Sequence, residues 1–324
     1  MESVGAPPAN RAIVTAAHVL RVDSVSAEVI TAMRRAGIRA LLLKGPSTAA
    51  WLYGDGAARP YGDTDLLVAP EAYRRAGGVL RKLGFRSRAY AWEPDSQAWV
   101  RRSDASLVDL HCTLIGALAA RDKVWEELTA DTDTLRVGGI DTEVLSIPAR
   151  ALHIALHAAQ HGDDYQRPSE DLARALRIAD PKTWHEAADV ARRLDAGAAF
   201  AAGLRRNPDG ARVAQLLGLA SGLPPAVTLR PKTQAPVAFA LNVLTNADER
   251  RTRARLLLRS VLPPPLYMRQ WSAMHMTRWP AALRRGLLGL SIVYLWRPIW
   301  VLLRLPKAIG ALRRARAAQS SAER

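Results

Sequence analysis

The stretch "RPYGDTDLLVAP" (residues 59–70) places two aspartates, Asp63 and Asp65, one residue apart at the head of the apolar run Leu66, Leu67 and Val68. A short apolar run closed by Gly62 on one side and Pro70 on the other reads as a strand buried on both faces. On a strand, side chains at i and i+2 point to the same side, so the two carboxylates stand next to one another. They repel unless a cation lies between them. Hard oxygen ligands of this kind suit Mg²⁺, which takes one or two protein carboxylates and completes its shell with water and substrate phosphates. "SLVDLHC" (106–112) offers a third carboxylate, Asp109, inside another apolar run. A charge in such a run needs a partner, because burying it alone is costly. His111 lies two residues on and is predicted on the same side as Asp109, either orienting that carboxylate or serving as an ordinary strand residue.

Outward from this core, the elements alternate. Residues 11–35 carry apolar positions at helical spacing and predict one or two helices, ended by Gly37. "IRALLLKG" (38–45) predicts a strand, and "STAAWLYG" (47–54) a helix with Ser47 as N-cap. Residues 63–70 form the next strand and 71–85 an amphipathic helix. Short strands are predicted near 86–92, 97–102 and 106–112, and a hairpin over 135–147 turns at Gly138-Gly139. Beyond Pro148 strand signals vanish. A helical stretch is predicted with breaks near Pro168, Pro181, Pro208 and Pro224-Pro225, and "LPPPLY" (262–267) reads as a linker. The expected class is α+β: a helical segment at 1–35, a small mixed sheet flanked by helices at 36–147, a helical domain at 148–262, and a basic, Trp-rich tail at 263–324.

The formal net charge is +16, and it is concentrated. Residues 250–324 hold 16 Lys and Arg against one acid, whereas residues 1–150 hold 19 against 18. This is a local basic surface, not a generally basic chain. The single cysteine, Cys112, excludes an intramolecular disulfide and a Cys-rich zinc module. With no apolar run behind a basic start in "MESVGAPPANR", the expectation is a cytoplasmic protein. In the tail, "GLLGLSIVYLWRPIWVLLRL" (286–305) is long and apolar, Arg297-Pro298 is predicted to break it, and basic residues flank it. Three readings stay open for residues 284–316: a helix pair lying on the anionic inner face of a membrane, a hairpin packed on the protein itself, or, least readily, a membrane span. Nucleic acid ranks below both, because Arg and Trp here come with no recognised nucleic-acid module.

The segments "LLLKG", "RPYGDTDLLV", "LRKLGF" and "VDLH", in that order, resemble the nucleotidyltransferase superfamily with the DNA polymerase β-type fold. The chain is more closely similar to the bacterial family of uncharacterised nucleotidyltransferases, which also shows a histidine-spaced helix like "HIALHAAQHG" (153–162) followed by a "DLARAL"-like segment. The resemblance implies that Asp63, Asp65 and Asp109 hold two Mg²⁺ ions, and that Asp109 helps take the proton of an acceptor hydroxyl. The reaction it implies is transfer of a nucleotidyl group from an NTP to a small molecule, a glycan precursor or a peptide, with release of pyrophosphate. Such proteins look like accessory enzymes of biosynthetic pathways. Lys44, Gly45, Ser47, Thr48 and Arg59 are implied to contact the triphosphate. This chain departs from the superfamily pattern at Gly45-Pro46, where Pro46 removes a backbone donor, and at Thr64, where a bulky aliphatic residue is usual. Two rival readings are a non-catalytic nucleotide-binding or scaffold module on the same fold, and a transferase with another phosphate-linked donor. His153, His157 and His161, at i, i+4 and i+8, form one helix stripe. It reads as cleft lining, as ordinary packing, or least readily as a metal site, because successive turns of one helix present ligands poorly to a single ion.

Overall fold

The computed structural model describes residues 8–54, 59–87, 96–161, 166–220, 236–246, 254, 257, 263, 265–276, 279 and 286–322. They fall into two compact units, one carrying the sheet and the helices up to residue 219, the other the helices from residue 236 onward.

In the first unit, α1 (Pro8–Arg35) is a single helix. β1 (Ala40–Leu42), α2 (Pro46–Leu52), β2 (Thr64–Val68) and α3 (Tyr73–Lys82) follow. Next come β3 (Arg86–Ser87), β4 (Ser96–Arg101), β5 (Ser106–His111), α4 (Arg121–Ala130), β6 (Thr132–Val137) and β7 (Ile140–Leu145). The seven strands make one mixed sheet in the order β3-β4-β5-β2-β1-β7-β6. β2 is thus the central strand, which is why Leu66, Leu67 and Val68 are fully buried and why the run shows no polar alternation. Gly138 and Gly139 make the β6–β7 turn with φ of 55° and 86°, conformations that suit glycine. The helix α4 had no counterpart in the sequence reading.

Strand alternation gives the sheet two different faces. Leu66 and Val68 of β2, Leu42 of β1 and Val108 and Leu110 of β5 pack beneath α1 and α3 in one hydrophobic cluster, which includes Val29, Ile30, Met33, Ala76 and Leu80. Thr64 belongs to this face, where its hydroxyl meets that of Ser26 on α1 at 2.8 Å. The unusual threonine at this position is therefore paired across helix and sheet. Asp65 and Asp109 belong to the opposite face.

The helical remainder of this unit is α5 (Ile147–His161), α6 (Gln166–Ile178), α7 (Pro181–Arg193), α8 (Gly197–Leu204) and α9 (Pro208–Leu216). Pro168, Pro181 and Pro208, read from sequence as breaks, each stand in the first turn of a helix, where a missing N–H costs nothing. α8 crosses α5 almost backbone to backbone: a Cβ at Gly203 would stand 1.9 Å from the Ala155 carbonyl oxygen.

The second unit has its own core. Val237 and Ala238 of the helix Pro236–Asn246, Met268 and Trp271 of the helix Pro265–His275, and Val293, Trp300, Ala308 and Leu312 of the helix Gly286–Ala322 form it. The expected break at Arg297-Pro298 is corrected here: one helix runs through both Pro298 and Pro306. Buried residues on either side of Pro298 hold it in line against the lost hydrogen bond. The sequence-based break at Pro224-Pro225 lies outside the described residues.

Candidate active site

The register of the sheet builds the site. β2 and β5 run parallel with Asp65 directly opposite Asp109, so two carboxylates from neighbouring strands stand side by side on one face. Asp63, two residues before Asp65, joins them at the mouth of β2. One carboxylate oxygen from each of the three lies within 4.8 Å of the others. Among the described residues this is the group that could hold a metal ion, and the histidine stripe does not form another.

The acids are poorly matched by the protein's own groups. Asp65 is buried, and Lys44, just past β1, places Nζ 3.1 Å from its Oδ1 as an ion pair. Asp65 Oδ2 and Asp109 Oδ1 are buried and accept no hydrogen bond. Such orphaned acceptors are rare and costly in folded proteins. A hard cation seated among them would meet this unfilled demand, so the residues present fit a divalent ion. Electrostatics agree. Repulsion from Asp65, then burial, pushes the Asp63 carboxyl above its ordinary range. Burial first, then the charge of Asp65, raises Asp109 to about 6. Burial also acts against ionised Asp65, but Lys44 and His111 outweigh it and hold this carboxyl at about 2.

His111 lies on the same face of β5 as Asp109, and its Nε2 stands 3.5 Å from Asp65 Oδ1. His153 and His157 of α5 are in the same neighbourhood. Burial, then the Lys44 ammonium, brings the His153 imidazole down to about 4, and the Leu43 main chain is its hydrogen-bond partner. The same two causes, in the same order, hold His157 well below its usual value. The His161 ring meets that of His157 edge-on at 4.3 Å. His153 and His157 are thus held neutral, and both lie close enough to Lys44 to feel its charge.

The turn residues are placed differently from one another. Gly45 has φ 72°, and a Cβ there would meet the Tyr61 ring at 3.5 Å, so glycine fits both the backbone and the space. Gly45 is also the cap of α2, which correction moves the helix start ahead of Ser47: Pro46 takes the first helical position. Ser47 is buried and its hydroxyl donates to the Leu43 carbonyl at 3.3 Å; Thr48 is buried beside it. Arg59 is engaged elsewhere. Its Nε and Nη2 donate to the two carboxylate oxygens of Asp171 on α6, at 2.9 and 2.6 Å, and Tyr53 donates to the same carboxylate at 2.8 Å. This buried fork clamps the mouth of β2 to α6. Asp171 escaped the sequence reading as a site-building residue; the signal was an acid on the inward stripe of α6, beside Leu172 and Ala175.

A three-carboxylate site on adjacent parallel strands of a small mixed sheet, with a glycine turn leading into a short helix, defines a nucleotidyltransferase-type domain. Residues 9–207 match the family described as uncharacterised nucleotidyltransferase, and the chain belongs to that family. No curated protein matches. Among solved structures, the antibiotic-resistance factor ANT(2'')-Ia is similar over 55% of this chain and 95% of its own, at 15% identity and a TM-score of 0.42. The lincosamide antibiotic adenylyltransferase LnuA, solved with lincomycin bound, is similar over 47% and 94%, at 13% identity and 0.34. An antigenic nucleotidyltransferase-like protein from Paracoccidioides brasiliensis is similar over 62% and 94%, at 15% identity and 0.41.

Proposed function

We propose that this protein is a Mg²⁺-dependent enzyme that transfers a nucleotidyl group from an NTP to a hydroxyl acceptor and releases pyrophosphate. The observation that supports it best is the convergence of Asp63, Asp65 and Asp109, with buried carboxylate oxygens left without a hydrogen-bond partner. Asp63 and Asp65 would hold the metal, and Asp109 would share it on the acceptor side. Metal bound there supplies positive charge to the attacking and leaving oxygens of an in-line displacement. The chain's own groups do the rest. Asp109 takes the proton of the acceptor hydroxyl as its oxygen closes on the α-phosphorus. Lys44, relieved of Asp65 once that carboxylate's charge is met, turns to the phosphates. Gly45 lets the backbone come close to them. His153 and His157, neutral and half-buried on α5, border the site and exclude water while leaving polar edges for the acceptor.

A second reading has a specific observation in its favour. Lys44 pairs with Asp65 and Arg59 with Asp171, so neither cation stands ready for a triphosphate. A module that binds nucleotide without turnover, or one that uses another phosphate-linked donor, fits those pairings.

The deciding experiment incubates the protein with each NTP, labelled at the α-phosphate, and a panel of hydroxyl acceptors, with and without Mg²⁺, beside Asp65→Asn. Pyrophosphate release that requires both Mg²⁺ and Asp65 supports transfer and names the base. Mg²⁺-dependent binding by calorimetry with no release from any NTP supports the second reading. No metal-dependent NTP binding at all would sink the proposal.

A further inference from the structure

The helix Gly286–Ala322 has two apolar faces and only one of them is used. Val293, Trp300, Ala308 and Leu312 are buried in the core of the second unit, where Trp300 meets Trp271 edge-on at 5.3 Å. On the far side, Leu288, Leu295, Leu302 and Ile309 recur every seven residues with Ile299 between them, so they form one stripe along about six turns. All are exposed, Leu288 to 83%, Leu295 to 75% and Leu302 to 64%. A continuous apolar stripe of this length is not what a free protein surface carries, and it marks a contact surface.

Charge identifies the occupant. Arg313, Arg314 and Arg316 are exposed beyond the end of the stripe, and Lys307 is exposed within its length, whereas Arg304 lies on the other side over the Trp300 ring. The only acid in residues 250–324 is Glu323, outside this helix. A second copy of the chain would bring the same positive charge to the interface and no acid for the flanking ion pairs that fix such helix pairs. Nucleic acid would complement the charge but leave the leucines in water. An anionic bilayer meets both: leucines enter the acyl boundary while Arg and Lys reach lipid phosphates. By length and composition Leu288–Ala317 is apolar enough to cross a membrane. Its other face, however, is committed to the protein's own helices, and Arg297 is buried on that side.

We propose that this helix lies flat on an anionic membrane surface, its stripe from Leu288 to Ile309 in the interface and its basic residues on lipid phosphates. The proposal is independent of the reading of the active site.

The test is flotation of the full-length protein with phosphatidylcholine vesicles, with and without about one third phosphatidylglycerol. Two variants accompany it, Leu295→Glu/Leu302→Glu and Arg313→Glu/Arg314→Glu/Arg316→Glu. These side chains are exposed, so the fold is expected to survive, and circular dichroism checks that it does. The proposal expects binding at least about tenfold stronger to the anionic vesicles, lost by about tenfold in each variant, and reversed by alkaline carbonate. Several outcomes would overturn it: no binding to anionic vesicles, binding indifferent to the leucine changes, or resistance to carbonate, which means a span. Light scattering that shows a dimer dissolved by Leu295→Glu/Leu302→Glu would assign the stripe to a second copy. Binding to duplex DNA that depends on the same leucines would assign it to nucleic acid.

Discussion

At the scale of single residues, the site stores an electrostatic conflict that a bound cation would relieve. Asp109 is raised to about 6 by burial and by Asp65, from an ordinary 3.8. Between those values the folded protein holds a proton that the unfolded chain has released, so this residue's contribution to stability falls as pH rises through the window. A metal ion must displace that proton before it is held. The increase in Tm produced by excess MgCl₂ should therefore be small at about pH 5 and reach its full size above about pH 7. A shift already complete at the acid end would contradict the assignment of Asp109 as a ligand. Removing the charge should expose the same conflict. Asp109→Asn is expected to melt higher than the parent without metal at neutral pH, to lose the metal-induced shift, and to lose about a thousandfold or more in turnover. His153 works in the opposite sense. Burial and Lys44 lower it to about 4 from 6.5, so its share of stability is lost as pH falls through that range. The metal-free protein thus carries opposed acid and imidazole contributions, and the difference between melts with and without metal isolates the carboxylates.

At the scale of elements, two contacts hold the helices to the site. The Arg59–Asp171 fork, with Tyr53 on the same carboxylate, joins the mouth of β2 to α6 in a buried setting. Removing one partner leaves a buried charge uncompensated, and Asp171→Ala is expected to destabilise by about 3–5 kcal/mol in chemical denaturation. A loss below about 1 kcal/mol would place the pair in solvent-like surroundings. The α5–α8 crossing depends on Gly203, where a Cβ would stand 1.9 Å from the Ala155 carbonyl oxygen. Gly203→Ala must push the helices apart and is expected to cost about 1–3 kcal/mol, more than the small gain alanine usually brings to a helix. The histidines that border the site ride on α5, so this substitution should also lower activity if the protein is folded when assayed.

At the scale of the whole molecule, the hydrophobic cluster of the sheet, α1 and α3 shares no described residue with that of the helices from residue 236 onward. Independent cores allow independent unfolding. Calorimetry is expected to resolve two transitions, and a divalent ion should raise only that of the unit with the three carboxylates. A single transition, shifted as one by metal, would mean that the units unfold together. The concentration of charge has the same modular character, since the sheet-bearing unit is near neutral and the last 75 residues carry almost the whole net charge.

The sequence by itself determined most of the strands, the burial of β2 and the grouping of Asp63, Asp65 and Asp109. Those follow from local rules: period two along a strand, and the cost of an acid in an apolar run. Glycine at the β6–β7 turn and helices beyond Pro148 were legible for the same reason. Tertiary structure alone decided which basic side chain meets which acid. Lys44 went to Asp65, Arg59 to Asp171 across 112 residues, and His111 to Asp65 rather than to its strand neighbour Asp109. It also decided that the helix Gly286–Ala322 runs through its prolines, because packing on either side outweighs a missing hydrogen bond. Pairings between distant segments depend on where the strands and helices bring them together, and nothing in local spacing carries that information.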